Sequence, residues 1–270
     1  MRINTNVAAI NAHRNLFSND YQMGKVMEKL SSGYRINRAA DDAAGLAISE
    51  KMRSLINGYN QAQRNALDGI SLLQTAEGAL TEVHAMLQRM NTLAIQAANG
   101  TYDDADRAHL QEEINQLINE IDNIADSTTF NGIQLLDGSE TDVTFQIGAT
   151  DTNVLTANLA DVTTGTLGID GIDISTEQGA RDAIAIINTA INTVSRHRAN
   201  FGAVQNRLEH TINNLGVAAE NLSASESRIR DADMALEMTA FTKQQILVQA
   251  GTAMLAHSNA RPQAVLQLLG

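Results

Sequence analysis

Residues 72–97 read LLQTAEGALTEVHAMLQRMNTLAIQA, and their apolar positions are separated alternately by four and three residues. This spacing places the apolar side chains on one face of an α-helix, because the helix turns once every ~3.6 residues. The positions in the series are Leu72, Ala76, Ala79, Val83, Met86, Met90, Leu93 and Ala97. An apolar stripe of this length predicts a long helix that packs in a bundle or a coiled coil.

Two further segments repeat this spacing, at residues 110–124 and 184–222. The second predicts a helix from about Arg181 to Ser227, which would be roughly 70 Å long at ~1.5 Å per residue. Aromatic residues make up 3% of the 270-residue chain, and its only proline is Pro262. Few rings and almost no helix-breaking residues favour thin aliphatic layers between unbroken helices. The predicted fold is therefore mainly α, an elongated coiled coil or helical bundle.

The pattern changes between residues 127 and 177, where stretches rich in Thr, Asp and Gly replace the helical spacing. Segments such as VTFQIGA are typical of short strands bounded by turns. Before this region, NGTYDDAD (99–106) predicts a turn between helices, in which Asp103, Asp104 and Asp106 can cap or favourably charge the next helix. We therefore expect a small β-rich excursion that packs on the side of the helices.

Each end of the chain carries an amphipathic helical pattern of its own. Two such helices could bury their apolar stripes on one another, but two helices alone make a thin core. Much of each stripe is then expected to stay exposed, and self-association would cover it. The candidate assembly residues are Ile3, Val7, Ile10 and Phe17 near the N-terminus and Met234, Met238, Phe241, Val248 and Leu255 near the C-terminus.

The net charge of −12 is concentrated in the middle of the chain, where residues 54–227 carry 7 Lys and Arg against 23 Asp and Glu. A nucleic-acid-binding protein needs a basic face, so this charge predicts no nucleic-acid partner. The absence of cysteine excludes disulfides and thiolate metal sites. No apolar run approaches the ~18 residues of a membrane span, and the N-terminal sequence lacks the apolar core of a secretory signal. We expect no membrane insertion, and export without a cleaved signal peptide.

The stretch LSSGYRINRAADDAAGLAIS (30–49) concentrates charged residues and glycines between two helical segments. Its Arg35, Arg38, Asp41 and Asp42 admit two interpretations: acid–base or metal chemistry, as in a hydrolase or metalloprotein, or helix capping with local ion pairs. No nucleophile or third metal ligand lies nearby in sequence, the histidines are scattered singly, and no phosphate-binding glycine motif occurs. Capping is therefore favoured, and no catalytic, cofactor-binding or metal-binding residue is predicted.

Three segments carry a specific resemblance: MRINTNVAAINAHRNL at the N-terminus, the stretch 30–49, and SRIRDADMALEMTAFTKQQILVQAGTAMLAHSNARPQAVLQLL near the C-terminus. They resemble bacterial flagellin. The resemblance covers roughly residues 1–138 and 180–270. Most flagellins insert variable outer domains between these halves, whereas about 40 residues intervene here. The chain is therefore similar to a minimal flagellin that lacks the large outer domains.

The resemblance implies a structural subunit, not an enzyme, that self-polymerises into the helical flagellar filament, the propeller of bacterial motility. Residues 1–40 and 232–270 would form a discontinuous inner coiled-coil domain, and residues 41–231 an outer helical-bundle domain with the β-rich excursion at about 127–177. The subunit would be exported by a type III apparatus and act outside the cell. Its implied partners are identical copies, the flagellar cap, the hook-associated junction proteins and an export chaperone.

A hook–filament junction protein of the same apparatus is the alternative, because such proteins share a similar N-terminal pattern. The C-terminal segment QAGTAMLAHSNARPQAVLQLL (249–269) favours flagellin instead. The short middle segment also leaves no room for the peptidase domain that some flagellins carry.

The resemblance assigns the stretch 30–49 to the connector between the inner and outer domains, a region implicated in filament shape. We expect Gly33 and Gly45 to give the backbone freedom there. The residues expected to form ion pairs, within or between subunits, are Arg35, Arg38, Asp41 and Asp42.

Some flagellins are recognised by an animal Toll-like receptor through an Arg, a Leu and a Glu on the middle helices. Alignment of LQRMNTLAIQAANGT and LQEEINQLINEID places the equivalent residues at Arg89, Leu93 and Glu113. Asn91 and Thr92 stand where an Arg-Glu pair is common in the family. The resemblance thus implies the receptor as a further partner.

Overall fold

The structure is a computed structural model that describes the backbone of residues 5–269 and the side chains of residues 5–261. Its elements, in chain order, are α1 (Val7–Ser32), α2 (Ala43–Ala97), α3 (Asp104–Ser127), β1 (Thr129–Phe130), β2 (Ile133–Gln134), β3 (Asp142–Gln146), β4 (Val154–Asn158), α4 (Thr164–Leu167), α5 (Glu177–Arg230) and α6 (Met234–Leu269). The predicted fold class is confirmed: the protein is mainly α, its terminal helices pack together, and it carries two small antiparallel hairpins.

The described residues divide into two compact units. The first unit contains the residues up to Ile56 and those from Glu220 onward, and the second unit is Asn57–Ala219. Helices α1 and α6 belong to the first unit, and α3, α4 and both hairpins belong to the second. The domain boundaries expected from the resemblance, after residues 40 and 231, stay a prediction.

The core of the second unit is built from the apolar stripes that the sequence predicts. On α2, Val83, Met90 and Leu93 are fully buried, while Ala79 and Met86 pack at the margin of the core. The buried residues that face them from the other long helices are Ile114 and Ile121 on α3 and Ile187, Val194, Phe201 and Leu208 on α5. Burial of such side chains stabilises the fold by ~25 cal/mol for each Å² of apolar surface removed from water.

The predicted turn between α2 and α3 is confirmed. Asp103 caps α3, because its carboxylate accepts a hydrogen bond from the backbone N–H of Asp106 at 2.8 Å. The buried Arg107 closes the other side of the turn by donating to the carbonyls of Ala97 at 3.0 Å and Asn99 at 3.3 Å. These two carbonyls lie at and just beyond the end of α2, where the helix leaves them without internal partners. Both helix ends are therefore satisfied within one turn.

The β-rich excursion consists of two hairpins, and the second packs against α2. Phe145 of β3 pairs with Leu155 of β4, and both side chains are buried on the face that meets the helices. Gly69 of α2 leaves room for the Phe145 ring, since an added Cβ would lie 3.1 Å from it. Asn65 of the same helix donates to the Gln146 carbonyl at 3.1 Å. The expected packing of this excursion on the side of a helix is confirmed.

Candidate functional site

Helices α1 and α6 of the first unit lie side by side in opposite directions. Three hydrogen-bonded pairs establish this direction, because their residue numbers rise along α1 and fall along α6. The pairs are Asn6 with Ser258 (2.8 Å), Gln22 with Gln244 (2.7 Å) and Lys29 with Glu237 (3.2 Å). The ends of the polypeptide thus form an antiparallel helix pair.

The seam between these helices is thin and partly polar. Its half-buried residues recur at three- and four-residue spacing: Ala9, Ala12, Leu16, Asn19, Met23, Val26 and Leu30 on α1, and Phe241, Gln244, Val248, Gly251, Leu255 and Ser258 on α6. Leu16 fills the space left by Gly251, where an added Cβ would lie 3.2 Å from the Leu16 Cδ1. Three of the predicted assembly residues, Phe241, Val248 and Leu255, therefore belong to this intramolecular seam.

The predicted apolar stripe of α1 faces outward instead. Val7, Ile10 and Phe17 are exposed, and Phe17 retains 71% of its accessible surface. Tyr21 continues the same exposed face, whereas Ile3 lies outside the described residues. The stripe of α1 thus stays exposed, as expected for a core of only two helices, and it is not buried against α6. The other face of α1 forms the seam with α6, and the described residues leave the exposed stripe uncovered.

Helix α6 also presents apolar side chains outward. Met234 and Met238 are exposed, as predicted candidates, and Leu236, Ile246 and Met254 are exposed as well. The 4-3 spacing did not identify the last three, because they lie beside the stripe and not on it. An open groove of about 440 Å³ on this helix is lined by Met238, Thr239, Thr242, Lys243 and Ile246. Both helices of the pair thus carry apolar surface that the described residues do not cover, as protein interaction sites do.

At the end of this helix pair, the connector is hydrogen-bonded to the segment that joins α5 to α6. The backbone N–H of Arg35 donates to the Arg230 carbonyl at 2.7 Å, and the N–H of Ala232 donates to the Gly33 carbonyl at 2.9 Å. Gly33 ends α1 in the left-handed conformation, with φ at 75°. A side chain at this position would be strained, so Gly33 is required by the turn itself.

The charged residues of the connector cap and pair locally. Arg38 Nε binds the Glu28 carboxylate at 2.7 Å, which raises the pKa of Arg38. Asp41 accepts hydrogen bonds from the backbone N–H groups of Arg38 at 3.1 Å and Asn37 at 3.3 Å. The Arg38 N–H is the main cause that lowers the pKa of Asp41. Asp41 thus satisfies two backbone N–H groups of the connector, as the capping interpretation predicts.

Arg35 and Asp42 hold backbone groups in the same way. The Arg35 guanidinium donates to the Ile229 carbonyl of α5. Asp42 accepts from the N–H of Gly45 at 2.9 Å and thereby caps the first turn of α2. An added Cβ at Gly45 would lie 2.4 Å from the Asp42 carboxylate and 2.8 Å from the Ile36 side chain. Gly45 is therefore needed for close approach within a helix, and the expectation that it provides backbone freedom is wrong.

Arg230, at the end of α5, binds two residues that lie far from it in sequence, and the sequence did not single it out. Its guanidinium lies over the Tyr34 ring at 4.7 Å from the centroid and donates to Glu50 at 2.7 Å. Only 13% of the Arg230 side chain is exposed. The Arg230 hydrogen bond is the main cause that lowers the pKa of Glu50, and Arg53 contributes as well. Arg230, Tyr34 and Glu50, which we call the connector latch, join three separate segments of the first unit.

The three residues aligned with receptor contacts do not share one surface. Arg89 Nε binds Glu113 Oε1 at 2.7 Å, and both side chains are exposed. Leu93, in contrast, is fully buried in the core of the second unit. A partner could therefore reach the Arg89–Glu113 pair directly, but it would touch Leu93 only after the core had opened. Receptor contact stays a prediction.

Metal binding and membrane insertion are two other classes of function on which the structure bears. No group of three or more His, Asp or Glu side chains able to hold a metal ion occurs among the described residues. Within the same part of the protein, no helix combines the length and the apolarity that crossing a membrane requires.

Comparison with known proteins decides the family. The family model of the bacterial flagellin N-terminal helical region matches residues 3–141, and that of the bacterial flagellin C-terminal helical region matches residues 184–269. The chain belongs to the bacterial flagellin family. The segment between the two matches contains the second hairpin, α4 and the start of α5. This flagellin thus keeps both helical regions with little between them, as the sequence predicted.

Relatives of similar length support this assignment. A flagellin of Halalkalibacterium halodurans is 54% identical, and one of Bacillus subtilis is 52% identical, each over the full length of both proteins. Among solved structures, the crystal structure of Bacillus cereus flagellin is 38% identical, with a TM-score of 0.51 over 60% of this protein and 94% of that one. The short form is therefore shared by full-length flagellins, and the junction-protein alternative is not favoured.

Proposed function

We propose that this flagellin polymerises by burying the outward apolar side chains of α1 and α6 against neighbouring copies. As a flagellin, it is a structural subunit of the helical flagellar filament, the propeller of bacterial motility. The proposal specifies which faces of α1 and α6 form the contacts between copies in the filament. We define the assembly face as the exposed residues Val7, Ile10, Phe17 and Tyr21 on α1 and Met234, Leu236, Met238, Ile246 and Met254 on α6.

The exposure of Phe17 carries the proposal. An aromatic side chain left 71% accessible loses most of the stabilisation that burial would give, which is about 1.5–3 kcal/mol for a ring of this size. The other exposed apolar residues extend this surface along both helices of the pair. Association with further copies recovers that stabilisation, because each copy offers the same unpartnered surface.

Deletion of residues 1–20 or of residues 251–270 tests whether the terminal helices are needed for polymerisation. The first deletion removes Val7, Ile10 and Phe17 from the assembly face, and the second removes Met254. Each also removes part of the seam, so neither product is expected to form filaments. Electron microscopy after incubation under polymerising conditions gives the result. Circular dichroism should show that the second unit, which lacks none of its residues, remains helical. Filaments of normal appearance from either truncated protein would refute the proposal.

We further propose that the connector holds the two passages of the polypeptide in one arrangement and so influences filament shape. Its supporting observations are the paired backbone hydrogen bonds at Arg35 and Ala232 and the connector latch. Both expected domain boundaries fall within this set of contacts. We propose the boundaries as residues 1–40 with 232–270 for the inner domain and residues 41–231 for the outer domain.

Replacement of Glu50 by Gln is expected to destabilise filaments near neutral pH and to have little effect in acid. Folding lowers the pKa of Glu50, so its ion pairs stabilise the native state above the ordinary carboxyl pKa of ~4.3. That contribution is lost as the pH falls through the lower pKa of the folded protein. The difference in melting temperature between the two proteins should be fully present near pH ~7 and shrink below pH ~4.

Circular dichroism melts of filaments across this pH range measure the effect. Glu220→Gln is the matched control, because Glu220 is exposed on α5 of the same unit and forms no ion pair with the described side chains. Its melting temperature should follow that of the parent protein at every pH. A Glu50→Gln difference that persists unchanged in acid would exclude the ion pair as its cause.

The finer partners and the route of export are also proposals. The resemblance supports binding to the flagellar cap, the hook-associated junction proteins and an export chaperone, and export without a cleaved signal peptide. For the Toll-like receptor, the exposed Arg89–Glu113 pair supports a contact. The family is structural and not enzymatic, and we propose no catalytic role.

A further inference from the structure

Asparagine followed by glycine occurs three times in the sequence, at Asn57–Gly58, Asn99–Gly100 and Asn131–Gly132. In such a pair the backbone nitrogen of the glycine can attack the amide carbon of the asparagine side chain, and glycine has no side chain to hinder the approach. The three pairs are identical in this local chemistry. Any difference between their reactivities in the folded protein must therefore come from the structure that holds each of them.

Asn131 and Gly132 form the two-residue loop of the hairpin β1–β2. Both have positive φ, 51° and 82°, as a tight hairpin turn requires. Both residues are exposed, and an added Cβ at Gly132 would meet nothing within 4 Å among the described residues. Its strands pair Thr129 with Gln134 and Phe130 with Ile133, and the Leu135 N–H donates to the Thr128 carbonyl at 3.1 Å at the end away from the loop. Such a short ribbon is only marginally stable by itself, so its tip opens at small cost in free energy.

The other two pairs are held more firmly. Asn99 accepts a hydrogen bond on its amide oxygen Oδ1 from the Thr101 N–H at 3.4 Å, and its backbone carbonyl accepts from the buried Arg107 at 3.3 Å. Asn57 lies within α2, so its backbone can rotate only if the helix opens. Gly58 also packs closely, since an added Cβ would lie 2.8 Å from the Ala149 Cβ. Cyclisation at either pair requires contacts to break that the loop of β1–β2 does not have.

We propose that Asn131 is a site of spontaneous deamidation in the folded protein. The deprotonated backbone nitrogen of Gly132 attacks Asn131 Cγ and forms a new bond to it, and the bond between Cγ and the amide nitrogen Nδ2 breaks with release of ammonia. Water then opens the resulting succinimide at either carbonyl, which gives aspartate or isoaspartate. The net reaction consumes one water, releases one ammonia and needs no oxidant or reductant. It adds one negative charge at the hairpin tip, and the isoaspartate product also lengthens the backbone there.

Peptide mapping by mass spectrometry tests the proposal on the full-length, folded protein. The protein is incubated in mildly alkaline buffer, and the gain in mass from exchange of an amide NH2 for OH is followed at each of the three asparagines. A parallel incubation in concentrated guanidinium chloride gives the unfolded rate at each site. The ratio of unfolded to folded rate then measures protection by structure, free of the small differences between flanking sequences.

We expect protection to be smallest at Asn131 and at least about tenfold larger at Asn57, a ratio that corresponds to ~1.4 kcal/mol of additional opening free energy. Asn99 should lie between them. Arg107→Lys, which weakens the bond to the Asn99 carbonyl, should lower protection at Asn99 and leave Asn131 unchanged. Protection at Asn131 equal to or above that at Asn57 would overturn the proposal, as would modification at Asn99 ahead of Asn131.

Discussion

Phe17→Asp is expected to abolish filament formation while the second unit keeps its fold. Phe17 keeps 71% of its accessible surface on α1, so its replacement removes little burial among the described residues. In the polymer, however, the ring would be buried against a neighbouring copy. Loss of about 1.5–3 kcal/mol of burial raises the critical concentration for polymerisation roughly ten- to a hundredfold. An unpaired carboxylate in the same contact adds a desolvation cost, and the combined effect should prevent assembly.

Two further variants, one at Asn15 and one at Phe17 itself, separate the effect of losing the ring from the effect of adding a charge. Asn15→Asp adds the same charge at an exposed position of α1 almost half a helical turn away, and it should polymerise like the parent protein. Phe17→Leu keeps an apolar side chain and should raise the critical concentration only moderately. Sedimentation after polymerisation gives the critical concentration, and circular dichroism checks the fold. Filaments from Phe17→Asp at the parent's concentration, or failure of Asn15→Asp, would contradict an assembly role for the α1 face.

The helices of the second unit could be predicted from the sequence because each buries one continuous stripe. Val83, Met90 and Leu93 occupy equivalent positions of the 4-3 series, and all three are fully buried. Buried apolar residues can recur at this spacing only on one helical face, so periodicity alone identifies them. Leu93 was also assigned a receptor contact, and that assignment came from alignment and took no account of its burial. Alignment transfers a position, whereas its accessibility depends on the helices packed around it.

The pairing of α1 with α6 was predicted, but the face of α1 that meets α6 could not be, because both of its faces carry apolar residues. Ala9, Ala12 and Leu16 follow a 3-4 spacing, and Val7, Ile10 and Phe17 belong to a second series of the same spacing in which Arg14 occupies the position between Ile10 and Phe17. Periodicity predicts that a helix buries a stripe, but it does not state which stripe meets which partner. The face that contains Ala9, Ala12 and Leu16 forms the seam with α6, and the face that contains Val7, Ile10 and Phe17 stays exposed. Only the position of α6 in the structure distinguishes the two faces.

The connector was located by its sequence, but its geometry was not. Charges and glycines between two helical patterns indicate a joint, and Asp42 caps α2 as such residues do. The connector latch, in contrast, joins Glu50 to Arg230 across 180 positions of sequence. No local pattern encodes a contact of that separation. The role of Gly45 was misinterpreted for the same reason. Its close contact with Ile36 depends on the fold and is not encoded by a local pattern.

Replacement of Gly251 by Leu is expected to separate α1 from α6 and to raise the critical concentration by up to about thirtyfold. Leu16 already occupies the space above Gly251, within 3.2 Å of an added Cβ, so a larger side chain has no room. Overpacking of this kind costs about 1–3 kcal/mol, and the ~1 kcal/mol gained by removing glycine from a helix leaves a net cost of up to about 2 kcal/mol. Gly251→Ala, whose single methyl group meets the rotatable end of Leu16, should be nearly neutral.

A rescue experiment shows whether the clash lies in the intramolecular seam. Leu16→Ala alone leaves a gap opposite Gly251 and should weaken the pair. Combined with Gly251→Leu, it moves the large side chain from α1 to α6 and restores the filled space, so the double variant should polymerise better than either single variant. The coupling between two residues in direct contact is commonly about 0.5–3 kcal/mol in magnitude, roughly two- to a hundredfold in critical concentration. Purely additive effects would mean that Leu16 and Gly251 do not meet in the filament. The antiparallel pair of α1 and α6 would then not be the arrangement that polymerises.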